Sequence, residues 1–89
     1  MLTVTEAAYL HLAKVLDNAN ASADAAVRFV AEGGAIKPKL DRIRSGDVIF
    51  EFAGKTVLAL DEQMSLTLDN HVLDVDDDNN RPRLILLQA

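Results

Sequence analysis

The histidines and their acidic neighbours are the first residues of this sequence that could do chemistry, because imidazole and carboxylate groups bind transition metals. His71 lies between Asp69 and Asp74, whereas His11 is far from them along the chain. A metal bound by His71 would need carboxylate help from Asp69 or Asp74. Histidines on separate elements are more often ordinary boundary residues, so the sequence offers these metal candidates without predicting a bound metal or cofactor.

A basic run is the second candidate site. It comprises Lys37, Lys39, Arg42 and Arg44 and is interrupted by Asp41. Clustered positive charge could bind a small anion or an acidic partner. Lysines on an edge strand and arginines in a loop also serve solubility alone, so both interpretations stay open.

Two further motifs have weaker implications. Gly33-Gly34 lacks the lysine motif of a phosphate-binding loop and is typical of a turn with positive φ. The acidic run from Asp74 to Asn80 begins like a calcium loop, but Asn79 stands where the loop needs glycine and Ile85 where it needs glutamate. We therefore expect a solvated acidic turn that could attract a basic partner.

Length, charge and composition exclude several functional classes. The 89 residues correspond to one small domain, 1–89, and the absence of cysteine excludes thiolate ligands and cysteine nucleophiles. A net charge of −5 disfavours a nucleic acid partner. No basic leader or membrane-length apolar run is present, and no serine has the context of a nucleophile. We expect a cytoplasmic protein without enzymatic activity.

Hydrophobic periodicity predicts the elements that must position these residues. A helix is predicted at about 6–17, capped by Thr5, and a second helix at 62–68, capped by Asp61. Strands are predicted at 26–31, 36–41, 48–52, 56–60, 71–75 and 83–87, with a charged turn at 76–81. Pro38 places the second of these strands at a sheet edge. The fold class is mainly β with two helices (α+β), a small mixed-sheet pseudo-barrel or sandwich.

The order of several short strings resembles the HesB/IscA-type family, the A-type carriers of iron–sulfur cluster biogenesis. The strings are Leu2 to Ala8, Val27 to Phe29 with Gly33-Gly34, Gly46 to Glu51 with Gly54, Val57 to Asp61, and Leu68 to Asp74. Each string is weak alone, but together they cover most of the chain in the family's order. The resemblance implies the family's small β-rich fold.

The departures from the family affect its chemistry. Ala35 stands after the glycine pair, where the family has its first cysteine, and the sequence ends at Ala89, where the family continues into a Cys-Gly-Cys tail. None of the family's cluster-binding residues can therefore be carried over to this sequence.

Three hypotheses follow. The leading one is a non-catalytic member of this fold that has lost cluster ligation and acts as a protein-interaction or accessory module, with possible self-association through exposed edge strands and Leu10. A rival is a residual carrier that binds iron or a cluster through His71 and carboxylates, or through a partner's cysteines. A third is an anion-binding module that uses the basic run.

Overall fold

The computed structural model describes residues 1–88, which fold into seven strands and two helices. The helices are α1 (Glu6–Asn18) and α2 (Glu62–Thr67). The strands are β1 (Thr3–Val4), β2 (Ala25–Glu32), β3 (Ala35–Arg42), β4 (Val48–Phe52), β5 (Lys55–Leu60), β6 (His71–Asp78) and β7 (Arg81–Gln88). The prediction of a mainly β fold with two helices is confirmed.

The strands form two mixed sheets with the orders β1-β6-β7 and β3-β2-β5-β4. In each sheet one parallel pair, β1 with β6 or β2 with β5, joins strands that are otherwise antiparallel. Strands β1 and β7 therefore lie at the edges of one sheet, and β3 and β4 at the edges of the other. The prediction that Pro38 belongs to an edge strand is confirmed.

Helix α1 forms because its apolar residues repeat at helical spacing behind a capping threonine. Thr5 accepts a hydrogen bond from the Ala8 amide at 3.1 Å, and Ala8, Leu12 and Leu16 are buried. These side chains pack in the core with Leu58 and other apolar residues of the sheets. The predicted helix is confirmed to within one residue.

Helix α2 also begins and packs as its sequence predicts. Asp61 accepts a hydrogen bond from the Met64 amide at 2.7 Å. Met64 and Leu68 are buried in the core. Within residues 1–88, neither helix is long and apolar enough to cross a membrane.

The hairpin of β6 and β7 differs from its prediction. Residues 76–78 continue β6 as strand, so the predicted charged turn at 76–81 is wrong. The turn is only Asn79-Asn80, with φ values of 52° and 60°. Asparagine tolerates this left-handed conformation, which lets two residues close the hairpin and frees the aspartates for strand pairing.

Candidate functional site

Strand β3 divides its residues between two faces of the sheet. Lys37 and Lys39 lie opposite Val30 and Arg28 of β2. Because directly opposed residues share a face, both lysines lie on the face of the sheet that carries Arg28. The alternate residues Ile36, Pro38 and Leu40 lie on the other face, which continues the core face of β2.

The arginines of the basic run do not join the lysines in one cluster. Arg42 lies on the opposite face of β3 from Lys37 and Lys39, as strand alternation requires. Arg44 lies in the loop after β3 and donates to the Asp41 carboxylate at 3.3 Å. Lys37 and Lys39 thus lie on the same face of β3 as Asp41, and Arg44 contacts Asp41 from the following loop. Arg42 lies on the other face.

Asp41 offsets part of this positive charge. Its carboxylate accepts a hydrogen bond from the Arg42 amide at 2.7 Å and one from the Arg44 guanidinium. The backbone hydrogen bond, with the nearby cations, lowers the pKa of Asp41. Asp41 therefore stays charged at neutral pH, and it weakens the attraction of this face for a free anion.

Sequence reasoning missed the buried ion pair of Arg28 and Asp47 beneath this face. The Arg28 guanidinium binds both oxygens of the Asp47 carboxylate, one of them at 3.1 Å, and also donates to the Arg42 carbonyl at 3.3 Å. The side chains are only 5% and 3% exposed. The sequence signal was a single charged residue within the otherwise apolar segment from Ala25 to Ala31.

The pair fixes the loop between β3 and β4. Asp47 accepts a further hydrogen bond from the Arg44 amide at 2.7 Å, so one carboxylate joins β2 to both ends of the loop. The hydrogen bonds from Arg28 lower the pKa of Asp47, and those to Asp47 raise the pKa of Arg28. Both groups remain charged, and the backbone that carries Arg44 is held in place.

The structure disperses the three metal candidates. Asp69 lies in the turn after α2, where it pairs with the N-terminal ammonium of Met1. Asp74 accepts a hydrogen bond from the Thr5 hydroxyl at 2.9 Å and thereby supports the cap of α1. His71 begins β6, three residues before Asp74, so the two side chains lie on opposite faces of the strand.

His71 is nevertheless unusual, because its Nδ1 atom is buried and has no hydrogen-bond partner within residues 1–88. Its neighbours on the same face of β6 are Leu73 and Val75, which offer no ligand atoms. Across the part of the chain that the structure describes, no three His, Asp or Glu side chains are grouped to hold a metal ion. This also holds for Asp76, Asp77 and Asp78 at the acidic end of β6.

The glycine pair has the conformation that the sequence predicts. Gly33 and Gly34 have φ values of 57° and 80° and form the two-residue turn between β2 and β3. Ala35, the first residue of β3, lies exposed opposite Glu32 across this turn. Its methyl group provides no ligand atom.

The solved structures that share this fold include two proteins of known context. Escherichia coli SufA, a protein involved in the biosynthesis of iron–sulfur clusters, matches with a TM-score of 0.71 and 22% identity, over 98% of this chain and 84% of its own. IscA, solved with its 2Fe–2S cluster, matches with a TM-score of 0.68 and 16% identity, over 99% and 85% of the two chains. The resemblance to the HesB/IscA-type fold is confirmed.

No family model and no curated protein matches this sequence. At these identities the structural likeness establishes the scaffold.

Proposed function

We propose that this protein is a non-catalytic accessory or protein-interaction module on the scaffold that SufA and IscA also have. The supporting observation is the match over 98% of a chain that contains no cysteine. Protein-bound iron–sulfur clusters are held mainly by cysteine thiolates. This chain has the scaffold but cannot supply a thiolate ligand. Ala35 occupies the position at which the resemblance implies the first cysteine.

Strand β3 is the proposed contact surface for a partner. It pairs only with β2, and six residues in succession, from Ala35 to Leu40, are exposed. Leu40 is 41% exposed and Ile36 is 36% exposed, although both lie on the face that continues the core. Exposed apolar side chains next to charged ones are typical of an interaction surface.

The charge of this surface selects the kind of protein that would bind. Lys37 and Lys39 are exposed on the face that carries Arg28, and Arg44 lies beside Asp41 at the end of the strand. An acidic protein surface complements these cations, and the complementarity would speed association and fix orientation. The fixed loop behind Arg28 and Asp47 would keep the surface in one shape.

Anaerobic native mass spectrometry of tag-free protein tests this function. The protein is measured as purified from its source and again after incubation with ferrous iron and sulfide. We expect a metal-free chain in a specific complex with a protein partner. Retained iron or cluster mass that is lost on His71→Ala substitution would overturn the proposal in favour of a carrier that uses His71, Asp69 and Asp74.

A matched pair of variants locates the contact. Leu40→Asp should dissociate the complex, because it places a charge in the apolar part of the proposed surface. Ile49→Asp is the control, since Ile49 is 45% exposed on β4, the other edge strand of the same sheet. Equal loss of the complex in both variants would contradict a contact at β3.

A further inference from the structure

The three-stranded sheet has one face in the core and one face open to solvent. Leu73 of β6 is buried, and Leu84 and Leu86 of β7 pack against the same core. Because side chains alternate along a strand, the residues at the positions between them lie on the opposite face. We call this the outer face of β6–β7, and it carries Val72, Asp74, Asp76, Asp78, Arg81, Arg83, Ile85 and Leu87.

One end of the outer face of β6–β7 is apolar. Val72 lies directly opposite Leu87 in the ladder, and Ile85 follows on the same face of β7. Leu87 is 47% exposed, and Val72 and Ile85 are half-buried. Asp74 lies opposite Ile85, but its carboxylate already accepts a hydrogen bond from the Thr5 hydroxyl. Exposed apolar side chains grouped on one face are typical of an interaction surface.

The other end of the outer face carries two rows of opposite charge. Asp76 and Asp78 lie on β6, and Arg83 and Arg81 lie directly opposite them on β7. The Arg83 and Asp76 groups are 3.8 Å apart, and their side chains are 66% and 50% exposed. A uniformly acidic or uniformly basic partner would match one row and repel the other. The face therefore requires a partner that also has both rows.

A second copy of the same face matches both rows. A twofold axis that runs parallel to the strands, midway between β6 and β7, places β6 of each copy over β7 of the other. Residues that are opposite in one ladder then also lie opposite across the interface, because this axis keeps their position along the strands. Asp76 of each copy faces Arg83 of the other, and Val72 faces Leu87. In such an isologous interface the patch is complementary to itself.

We propose that two copies of this chain associate through the outer face of β6–β7, related by that axis. The apolar ends cover each other, and the Asp76–Arg83 pairs of the two copies alternate around the axis. Ion pairs at an exposed interface contribute little each, so they fix the register while apolar burial supplies most of the attraction. The face contains no residue of β3, so this self-contact and the proposed partner contact can be tested separately.

The size of the face predicts a weak dimer. Its two strands have eight residues each, which makes the face about 26 Å long and about 10 Å wide. This is small beside the roughly 800 Å² that each partner buries in a standard interface. We therefore expect a reversible dimer that dissociates on dilution, and the stability measured on the dilute chain is that of a single copy.

Sedimentation velocity of the full chain at a series of concentrations tests the charged end of the contact. The unsubstituted chain should show a monomer–dimer equilibrium. Arg83→Asp gathers only carboxylates around the axis and should raise the dissociation constant at least about a hundredfold. Lys14→Asp, on the exposed side of α1, makes the same change in net charge and should leave the equilibrium within about twofold. A chain that stays monomeric throughout, or an equal effect of both variants, would overturn the proposal.

Mixing two variants separates a contact between chains from an effect within one chain. Asp76→Arg alone should also remain monomeric, because it gathers only guanidinium groups around the axis. An equal mixture of the Arg83→Asp and Asp76→Arg chains should form a mixed dimer, since each row then meets its opposite. Folding of both variants is checked by circular dichroism. Two folded variants that stay monomeric when mixed would overturn the twofold arrangement.

A second matched pair tests the apolar end without altering the charged rows. Leu87→Asp should raise the dissociation constant at least about tenfold, because it places a charge against Val72 of the other copy. Leu10→Asp is the control, since Leu10 is 53% exposed on α1 and Leu87 is 47% exposed. Dissociation by Leu10→Asp with no effect of Leu87→Asp would overturn the proposal, because it would place the self-contact on α1.

Discussion

The hairpins β2–β3 and β6–β7 have the same outline but are held by different charge pairs. Each joins two strands of eight residues through a two-residue turn with positive φ, and each has an edge strand containing one proline. In the first hairpin, Arg28 is buried and bound to both oxygens of Asp47. In the second, Arg83 lies opposite Asp76 in the ladder, but the two groups are 3.8 Å apart and largely exposed.

The difference shows where a charge pair matters for the fold. A buried carboxylate without its partner carries the full cost of desolvation, whereas an exposed carboxylate is solvated by water. The Arg28–Asp47 pair also holds the β3–β4 loop through the Arg44 amide. The Arg83–Asp76 pair holds no loop, and its side chains stay in contact with solvent.

The largest effect is expected from Asp47→Ala. It leaves the Arg28 guanidinium buried without its counter-ion and should lower the free energy of unfolding by about 3–5 kcal/mol, measured by urea denaturation. Asp76→Ala is the matched variant in the other hairpin and should cost less than about 1 kcal/mol. Similar losses in the two variants would contradict the distinction between the hairpins.

The first of these variants could unfold a chain of this size. The combined substitution of Arg28→Met and Asp47→Leu removes both charges and retains apolar volume. It should restore most of the stability, because no unpaired charge remains. A double variant less stable than Asp47→Ala would show that the pair acts through some other contact.

The turns should produce an intermediate effect. Gly34 has a φ of 80°, and a Cβ atom there would meet no heavy atom within 4 Å, so the cost of Gly34→Ala is conformational alone. We expect a loss of about 1–2 kcal/mol in the free energy of unfolding. Gly34→Asn should cost less, because the other hairpin already has Asn80 at a φ of 60° in the corresponding position. If asparagine cost as much as alanine, the two turns would not be equivalent.

The smallest effect is expected on the pH dependence of stability, to which the buried pair of the first hairpin contributes. The hydrogen bonds from Arg28 hold the pKa of Asp47 below its ordinary value of 3.8. The stability from this pair is therefore fully present above the unfolded-state pKa and is lost as the pH falls through the lower folded-state value. The double variant that combines Arg28→Met with Asp47→Leu should lose less stability below pH 3.8, measured by thermal unfolding at a series of pH values. An unchanged acid profile would show that Asp24 and Asp41, whose pKa values are also lowered, account for it.

Local sequence signals were sufficient for most of the elements. Thr5 and Asp61 each cap a helix as predicted. This is a local signal, because the amide that donates to the capping oxygen lies only three residues further along the chain. The prediction of a charged turn at 76–81 is wrong, because a local run of turn-forming residues contains no information about the strand that pairs with it. In the structure, the ladder between β6 and β7 extends Asp76, Asp77 and Asp78 as strand.

The candidate site was less predictable, because residues that are close in sequence need not share a face. Arg42 is close to the two lysines along the chain, but the alternation of β3 places it on the other face. The metal candidates Asp69, His71 and Asp74 are also close along the chain. Asp69 lies in a turn, and the alternation of β6 places His71 and Asp74 on opposite faces.

The sequence by itself determined the helices, the edge position of β3, the turn at Gly33-Gly34 and the lack of thiolate ligands. Each of these follows from composition or from interactions between residues a few positions apart. Only the tertiary structure decided that Asp47 would neutralise Arg28, which lies 19 residues away, and that β3 and β7 would flank an apolar groove. The physical reason is that these features depend on how the two sheets pack, which brings together side chains that share no local pattern.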